Sequence, residues 1–166
     1  IKENIKQDEK RDLNIHTTWR LNEKHYGTLE GIPRQHIRDL FGKKFTKKMR
    51  SNYTMFPPII KEYYDDSINN YDIYKNCYYE TIKLGESKEK VYERTIPYYE
   101  NEILNAIKSG KYPLIVTHKH TARVIMKYLL NISDTNFENY NLPEKQIFNV
   151  VLDENYKFKE FIPLKF

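Results

Sequence analysis

Apolar side chains recur at helical spacing in several stretches of this chain, and polar residues fill the intervals. After Pro33, Ile37 and Phe41 share one face and Gly42 stops the run, which predicts a short helix. The basic stretch Lys43–Arg50 predicts a second. Val91, Ile96, Ile103, Leu104 and Ile107 form a longer stripe, with Ser87 as its N-cap, Glu89 in its first turn, a kink expected at Pro97 and an end at Gly110. Val124, Ile125, Tyr128 and Leu129 mark a helix over 120–130, and Asp134 stands near the start of another, around 134–140. The period changes elsewhere. Pro113–Thr117 is short, apolar and β-branched, the pattern of a strand buried on both faces in a parallel sheet. Ile147–Leu152 and Tyr156–Ile162 flank Asp153-Glu154-Asn155, a pattern that predicts a hairpin with a three-residue turn. Helices, a buried strand and a hairpin together predict an α/β fold with a mixed sheet.

No internal repeat and no Pro-, Gly- or Ser-rich linker divides the 166 residues, so 1–166 reads as a single domain, long enough to bury a core. From Pro57-Pro58 to about Gly85 the chain is irregular and rich in tyrosine. A loop of that length is uncommon unless functional, and 51–86 is read as a long active-site insertion. Residues 1–10 are polar and read as the end of a helix whose beginning is absent. With neither an initiator Met nor a signal-peptide apolar region at Ile1-Lys2-Glu3-Asn4, the expectation is a chain that begins inside a larger protein.

Composition narrows the classes. Charged residues make up 31% and apolar ones 39%, but 15 tyrosines, 8 phenylalanines and a tryptophan argue against disorder. Lys, Asn, Ile and Tyr are favoured over Gly and Ala, as in the codon usage of an A/T-rich genome, which discounts part of the basic count. The net charge of +5 fits a site for phosphorylated anions and equally a surface that meets nucleic acid. For the latter, the candidates are Lys43, Lys44, Lys47 and Lys48 among many tyrosines, although such a run is more often a solvated face. A lone cysteine, Cys77, excludes an internal disulfide and a cysteine metal knuckle, favouring an intracellular, cytoplasmic setting. No apolar run approaches the length that spans a membrane.

His118 ends the predicted strand and opens the next helix, a place where α/β folds bind ligands and helix N–H groups favour phosphate. A hydrogen-bonded loop histidine is the alternative. His118-x-His120 has metal-like spacing, yet two ligands make no zinc site, and no metal is expected.

Further motifs identify a family. Trp19-Arg20-Leu21-Asn22-Glu23-Lys24-His25-Tyr26-Gly27 resembles the Trp-Arg-Leu-Asn-Glu-Arg-His-Tyr-Gly segment of cofactor-dependent phosphoglycerate mutases, in the histidine phosphatase superfamily, with one change at Lys24. Leu29-x-Gly31 continues the match. Val116-Thr117-His118-Lys119-His120-Thr121-Ala122-Arg123 resembles the family's strand ending in His-Gly-Asn-Ser-Leu-Arg. Pro57-Pro58, Glu86-Ser87, Ile96-Pro97-Tyr98, Leu142-Pro143 and Asp153-Glu154-Asn155 resemble family landmarks in family order. The resemblance covers nearly the whole chain, and implies a three-layer α/β/α fold with a mostly parallel mixed sheet, incomplete here at its N-terminus.

What it implies for chemistry is phosphoryl transfer through a phosphohistidine. The family's nucleophile lies in an Arg-His-Gly motif that this sequence does not contain, and the resemblance places it upstream of Ile1. His118 matches the second histidine, which holds the transferring phosphoryl group and stabilises its charge. Glu23 matches the general acid/base; an arbitrary glutamate would be a solvated loop carboxylate. Lys24, Tyr26, Arg34 and Arg50 fall where the family grips substrate carboxylate and phosphate, and Lys24 and Arg34 exchange the family's Arg and Lys. For Tyr26, plain packing is the alternative.

The chain departs from the family at three places. Arg50-Ser51 stands where the family has paired arginines. Lys119-His120 replaces Gly-Asn, adding bulk and charge beside the phosphate, so both join the candidate substrate-binding residues. The sequence stops at Phe166, whereas the mutases carry a tail that shields the phosphohistidine from water. Two activities follow: interconversion of 3- and 2-phosphoglycerate in glycolysis, primed by 2,3-bisphosphoglycerate, or hydrolysis of small phosphorylated metabolites by a histidine-type phosphatase. A catalytically inactive homologue is the third reading. The expected partner is a small phosphorylated anion, with no nucleic acid and no membrane, and the resemblance implies a homodimer or homotetramer.

Overall fold

The computed structural model describes residues 14–61, 85–143 and 146–164. Single 3-10 turns at Trp19–Leu21 and Gly27–Leu29 lead into α1 (Arg34–Phe41) and α2 (Lys43–Ser51). Then come α3 (Lys88–Tyr98), a π-helical turn (Tyr99–Ile103) and α4 (Leu104–Lys108). Helices α5 (Lys119–Leu129) and α6 (Asp134–Phe137) precede strands β1 (Ile147–Leu152) and β2 (Phe158–Leu164). The polar segment 1–10 and most of the 51–86 insertion lie outside the described residues.

Local signals set the helix ends where the sequence predicts them. Gly42, at φ 81°, lets the chain leave α1 and enter α2 directly. The Ser87 hydroxyl accepts from Lys90 N at 3.1 Å, a cap contributing about 1 kcal/mol. Pro97 has no N–H to offer the preceding turn, and the helix widens just after it into the π-turn. That widening keeps Tyr99 and Ile103 against Ile125 of α5.

The core lies between α3 and α5. Val91, Ile96, Val124 and Phe137 are buried with Tyr53, whose ring meets Phe137 edge-on at 5.4 Å. Each such apolar side chain contributes roughly 1.5–3 kcal/mol by leaving water. A second cluster, Leu29, Ile37 and Met49, seals α1 and α2 onto the Gly27–Leu29 turn. Lys43, Lys44, Lys47 and Lys48 all point to solvent from α2, while Thr46 and Met49 face inward. The basic run is therefore the wet face of an amphipathic helix.

Two expectations are corrected. Pro113–Thr117 is extended but forms no ladder, and Leu114 and Val116 are 69% and 63% exposed. A parallel strand exists only beside hydrogen-bonding neighbours, and the only sheet among the described residues is the antiparallel pair β1–β2. Alternation remains, with Ile115 packing inward against the Tyr99–Ile103–Ile125 cluster. The hairpin forms, but its loop is longer than three residues. Asp153 Oδ1 accepts from both Asn155 N and Lys157 N at 2.9 Å, and Tyr156 takes φ 60°, so β2 starts only at Phe158. A bulge at Val151/Leu152 absorbs the mismatch, and Phe148 stacks on Phe161 at 4.3 Å.

Candidate active site

Residues 19–25 have no ladder to hold them, so their carbonyls need donors from elsewhere. Arg94 of α3 supplies most of them. Its Nη1 donates to Trp19 O and Arg20 O at 3.3 and 2.7 Å, and its Nη2 to Asn22 O and Glu23 O at 3.0 and 3.2 Å. The same guanidinium is paired with Glu86 at 2.6 and 3.0 Å, and both side chains are almost wholly buried. Glu86 Oε2 in turn accepts from His25 N at 2.9 Å, while Glu86 N donates to His25 O. One ion pair thus shapes the backbone on both sides of Glu23.

Two threonines join this segment to the start of α5. Thr117 Oγ1 donates to Leu21 O, and Thr121 Oγ1 to Asn22 O, each at 2.6 Å. Glu23 and His118 follow directly from these ties, so the structure brings their two segments side by side. His118 is exposed at the N-cap of α5 without capping the helix itself. Glu23 Oε1 accepts from its neighbour's backbone, Lys24 N, at 2.7 Å.

A third approach comes from Gly85, at φ 72°. A Cβ there would lie 2.8 Å from Gly27 N and 2.9 Å from Tyr26 C, and would also collide with Pro57 Cγ. Only glycine lets residues 57 and 85 close on the Tyr26–Gly27 bend.

Around Glu23 the charges are mostly positive. Lys24 is buried, its Nζ 3.5 Å from Met49 O and 5.3 Å from the Tyr26 ring centre. Burial pushes its ammonium group down to about 8 despite the nearby Glu86 and Glu23. Burial holds the Tyr26 hydroxyl up at about 12, so it stays a neutral donor, and its ring packs with the Leu29–Met49 cluster. Arg34 stands exposed at the start of α1, where the Arg50 guanidinium is the main cause of its lowered pKa. Arg50, half-buried, therefore sits within Coulomb reach of Lys24, Tyr26 and Arg34. Ser51 turns its hydroxyl back to Lys48 O.

His120 is 7% exposed and its Nδ1 has no hydrogen-bond partner among the described residues. Burial first, then Lys88, Arg50, Arg123 and Lys24, pull it down to about 3, so the imidazole is neutral. Lys119, half-buried, opens α5 beside His118. Arg123 is committed to Phe137, donating to its carbonyl at 2.7 Å and lying 4.7 Å over its ring. Sequence reasoning missed Lys88 and Arg94; the signal was present as charged residues on the buried stripe of α3. Among the described residues, no group of three or more His, Cys, Asp or Glu is placed to hold a metal ion, and no helix is long and apolar enough to cross a membrane. The arrangement is a carboxylate beside a cluster of cations, with an exposed histidine on the adjoining segment, suited to a phosphorylated anion and a proton transfer.

Comparison with known proteins agrees in kind. The family model described as histidine phosphatase superfamily (branch 1) matches residues 5–160. The chain is 35% identical over 152 residues to a 2,3-bisphosphoglycerate-dependent phosphoglycerate mutase of Lachnoclostridium phytofermentans, covering 90% of this chain and 61% of that protein. It is 35% identical over 145 residues to the protein of that name from Elusimicrobium minutum, and 30% identical over 142 residues to the one from Haemophilus influenzae, covering 86% of this chain in each case and 58% and 63% of those proteins. The chain thus spans about three-fifths of the length of the curated relatives it matches.

Proposed function

The chain belongs to the histidine phosphatase superfamily, an α/β family, and we propose that it forms the greater part of an enzyme interconverting 3- and 2-phosphoglycerate. The observation that carries this reading is the Glu86–Arg94 clamp, which shapes the Trp19–Glu23 backbone, while Thr117 and Thr121 tie that segment to the one that carries His118. The relatives, named as 2,3-bisphosphoglycerate-dependent phosphoglycerate mutases, supply the substrate and the bisphosphate for this reading.

In this reading Arg34 and Arg50 draw in the polyanionic substrate and hold its anionic ends. Tyr26 stays protonated and donates a hydrogen bond. His118, exposed at the N-terminus of α5, donates to the phosphoryl oxygens, where the first N–H groups of the helix add favourable potential. Glu23 gives a proton to the departing oxygen and later takes one from the acceptor hydroxyl. The mechanism calls for an accepting histidine, which the family resemblance assigns to an Arg-His-Gly motif that these 166 residues do not contain. Lys119 and His120 edge the phosphate. Lys24, turned inward on Met49 O, acts on the anion through its field. Bound 2,3-bisphosphoglycerate supplies the phosphoryl group that primes the cycle. The residues fit such a polyanion, because cations outnumber free carboxylates around Glu23 and the His120 Nδ1 has no hydrogen-bond partner among the described residues. A three-layer α/β/α fold with a mostly parallel mixed sheet, a homodimer or homotetramer and a cytoplasmic setting go with this reading.

A phosphatase acting on small phosphorylated metabolites is the second reading, favoured by Ser51 in place of a second cation and by bulky His120 beside the phosphate. Labelled 2,3-bisphosphoglycerate tests the first. The full-length protein should acquire an acid-labile label, chased by 3-phosphoglycerate into phosphoglycerate; release of the label only as inorganic phosphate would refute mutase action.

A further inference from the structure

Two buried lysines converge on the end of α2. Lys88, fully buried in the first turn of α3, donates from Nζ to Arg50 O at 2.5 Å and Asn52 O at 3.1 Å. Lys24 approaches Met49 O. Carbonyls at a helix C-terminus lack intrahelical donors and carry partial negative charge, so a cation is well placed there. A third bond, Glu89 N to Tyr53 O at 3.0 Å, joins the same two helix ends. Nothing in the proposed reaction uses Lys88, yet its position is costly. Lys24 from the Trp19–Leu29 segment, Arg50 from α2, and His120 and Arg123 from α5 face it with positive or potentially positive charge. Glu138 beyond α6 opposes them, while Glu86 on its own segment is occupied by Arg94. A methionine would avoid that desolvation but would leave the Arg50 and Asn52 carbonyls without the ammonium donor. What the lysine provides is therefore the hold on those two carbonyls.

We propose that Lys88 is a positioning residue: its ammonium group fastens the C-terminal turn of α2 and so fixes the Arg50 guanidinium within the anion-binding cluster. This rests on the reading of Arg50 as a substrate cation. Arg50 carries one of the two carbonyls that Lys88 holds, and Asn52 the other, so the backbone on either side of Ser51 cannot turn without breaking a bond. The fastening is also pH-dependent. Burial, then Lys24, lower the Lys88 ammonium to about 7, and a neutral amine donates more weakly than an ammonium. The hold on Arg50 loosens as pH rises through that value.

The test uses the full-length protein labelled with ¹⁵N-arginine, with the Arg50 Nε–Hε resonance assigned through Arg50→Lys. Without substrate, the wild-type resonance should move with a midpoint near pH 7, and in Lys88→Met it should be displaced and flat across the same range. Lys88→Met should remain folded at the assay temperature, which its melting curve checks. It should also raise KM for 3-phosphoglycerate about tenfold at pH 6.5 while kcat changes less than about threefold, the signature of lost binding rather than lost chemistry. A folded Lys88→Met protein with an unmoved Arg50 resonance overturns the proposal. So does a wild-type resonance that is flat from about pH 6 to 8.5, which needs no variant. Because the resonance is read without substrate, failure of the wild-type protein to turn over phosphoglycerate would refute the proposed function separately.

Discussion

Replacing Arg94 by methionine removes one side chain that satisfies a buried carboxylate and four carbonyls. Breaking a buried ion pair by deleting one partner costs about 3–5 kcal/mol, because the remaining charge stays desolvated. Glu86 keeps one donor, His25 N, so the lower part of that range is expected. For a chain of this size, about 3–4 kcal/mol lowers the melting temperature by roughly 6–16 °C. The damage should also reach the chemistry. Once Asn22 O and Glu23 O lose Arg94, Glu23 is no longer aimed, and kcat should fall more than about tenfold while KM moves little. Calorimetry and steady-state kinetics on the full-length protein check both. A Glu86→Leu/Arg94→Met double variant should recover part of the stability, since neither charge is then buried alone, but none of the kcat. A stability loss below about 1 kcal/mol, or two single effects that simply add in the double variant, would refute the clamp.

Further consequences are separable from this one. Glu23→Gln should cut kcat by about 10²–10⁴ while leaving substrate affinity near normal, as measured by calorimetric titration. Gly85→Ala should destabilise by about 1–3 kcal/mol in urea unfolding, because its Cβ meets Tyr26 and Gly27 and φ is positive. His120 holds its pKa near 3 in the fold, so between that value and the ordinary histidine range the unfolded chain binds the extra proton. Stability should therefore rise with pH over that window, and His120→Asn should flatten the rise in pH-dependent melting. Lys24 and Lys88 are lowered from 10.5 to about 8 and about 7, so here too the unfolded state binds more protons. Stability should climb again from about pH 7 to 10.5, less steeply in Lys88→Met.

Helix ends and core stripes were legible because their causes are local. Ser87, Pro97, Gly42 and Gly110 act within a turn of themselves, and Val91, Ile96, Val124 and Ile125 stand at the spacing that packs α3 on α5. Pro113–Thr117 was read as a ladder strand because its pattern is apolar, but pairing depends on a neighbour that no local pattern shows. The pattern places Tyr156 in a strand, but the Asp153 carboxylate captures two backbone N–H groups and draws Tyr156 into the loop. The site followed the same division. Glu23, His118, Lys24, Tyr26, Arg34, Arg50, Lys119 and His120 were marked by motif. Arg94 and Lys88 were not, since each acts on carbonyls 36 or more residues away. A charged side chain at a buried helical position was the available sign for both.

The most direct test follows the ³¹P NMR spectrum of the full-length protein with 3-phosphoglycerate and a trace of 2,3-bisphosphoglycerate. The account predicts that 2-phosphoglycerate appears while total ester phosphate stays constant, and that Glu23→Gln abolishes the exchange. Accumulation of inorganic phosphate without 2-phosphoglycerate, or a spectrum that does not change, would contradict it.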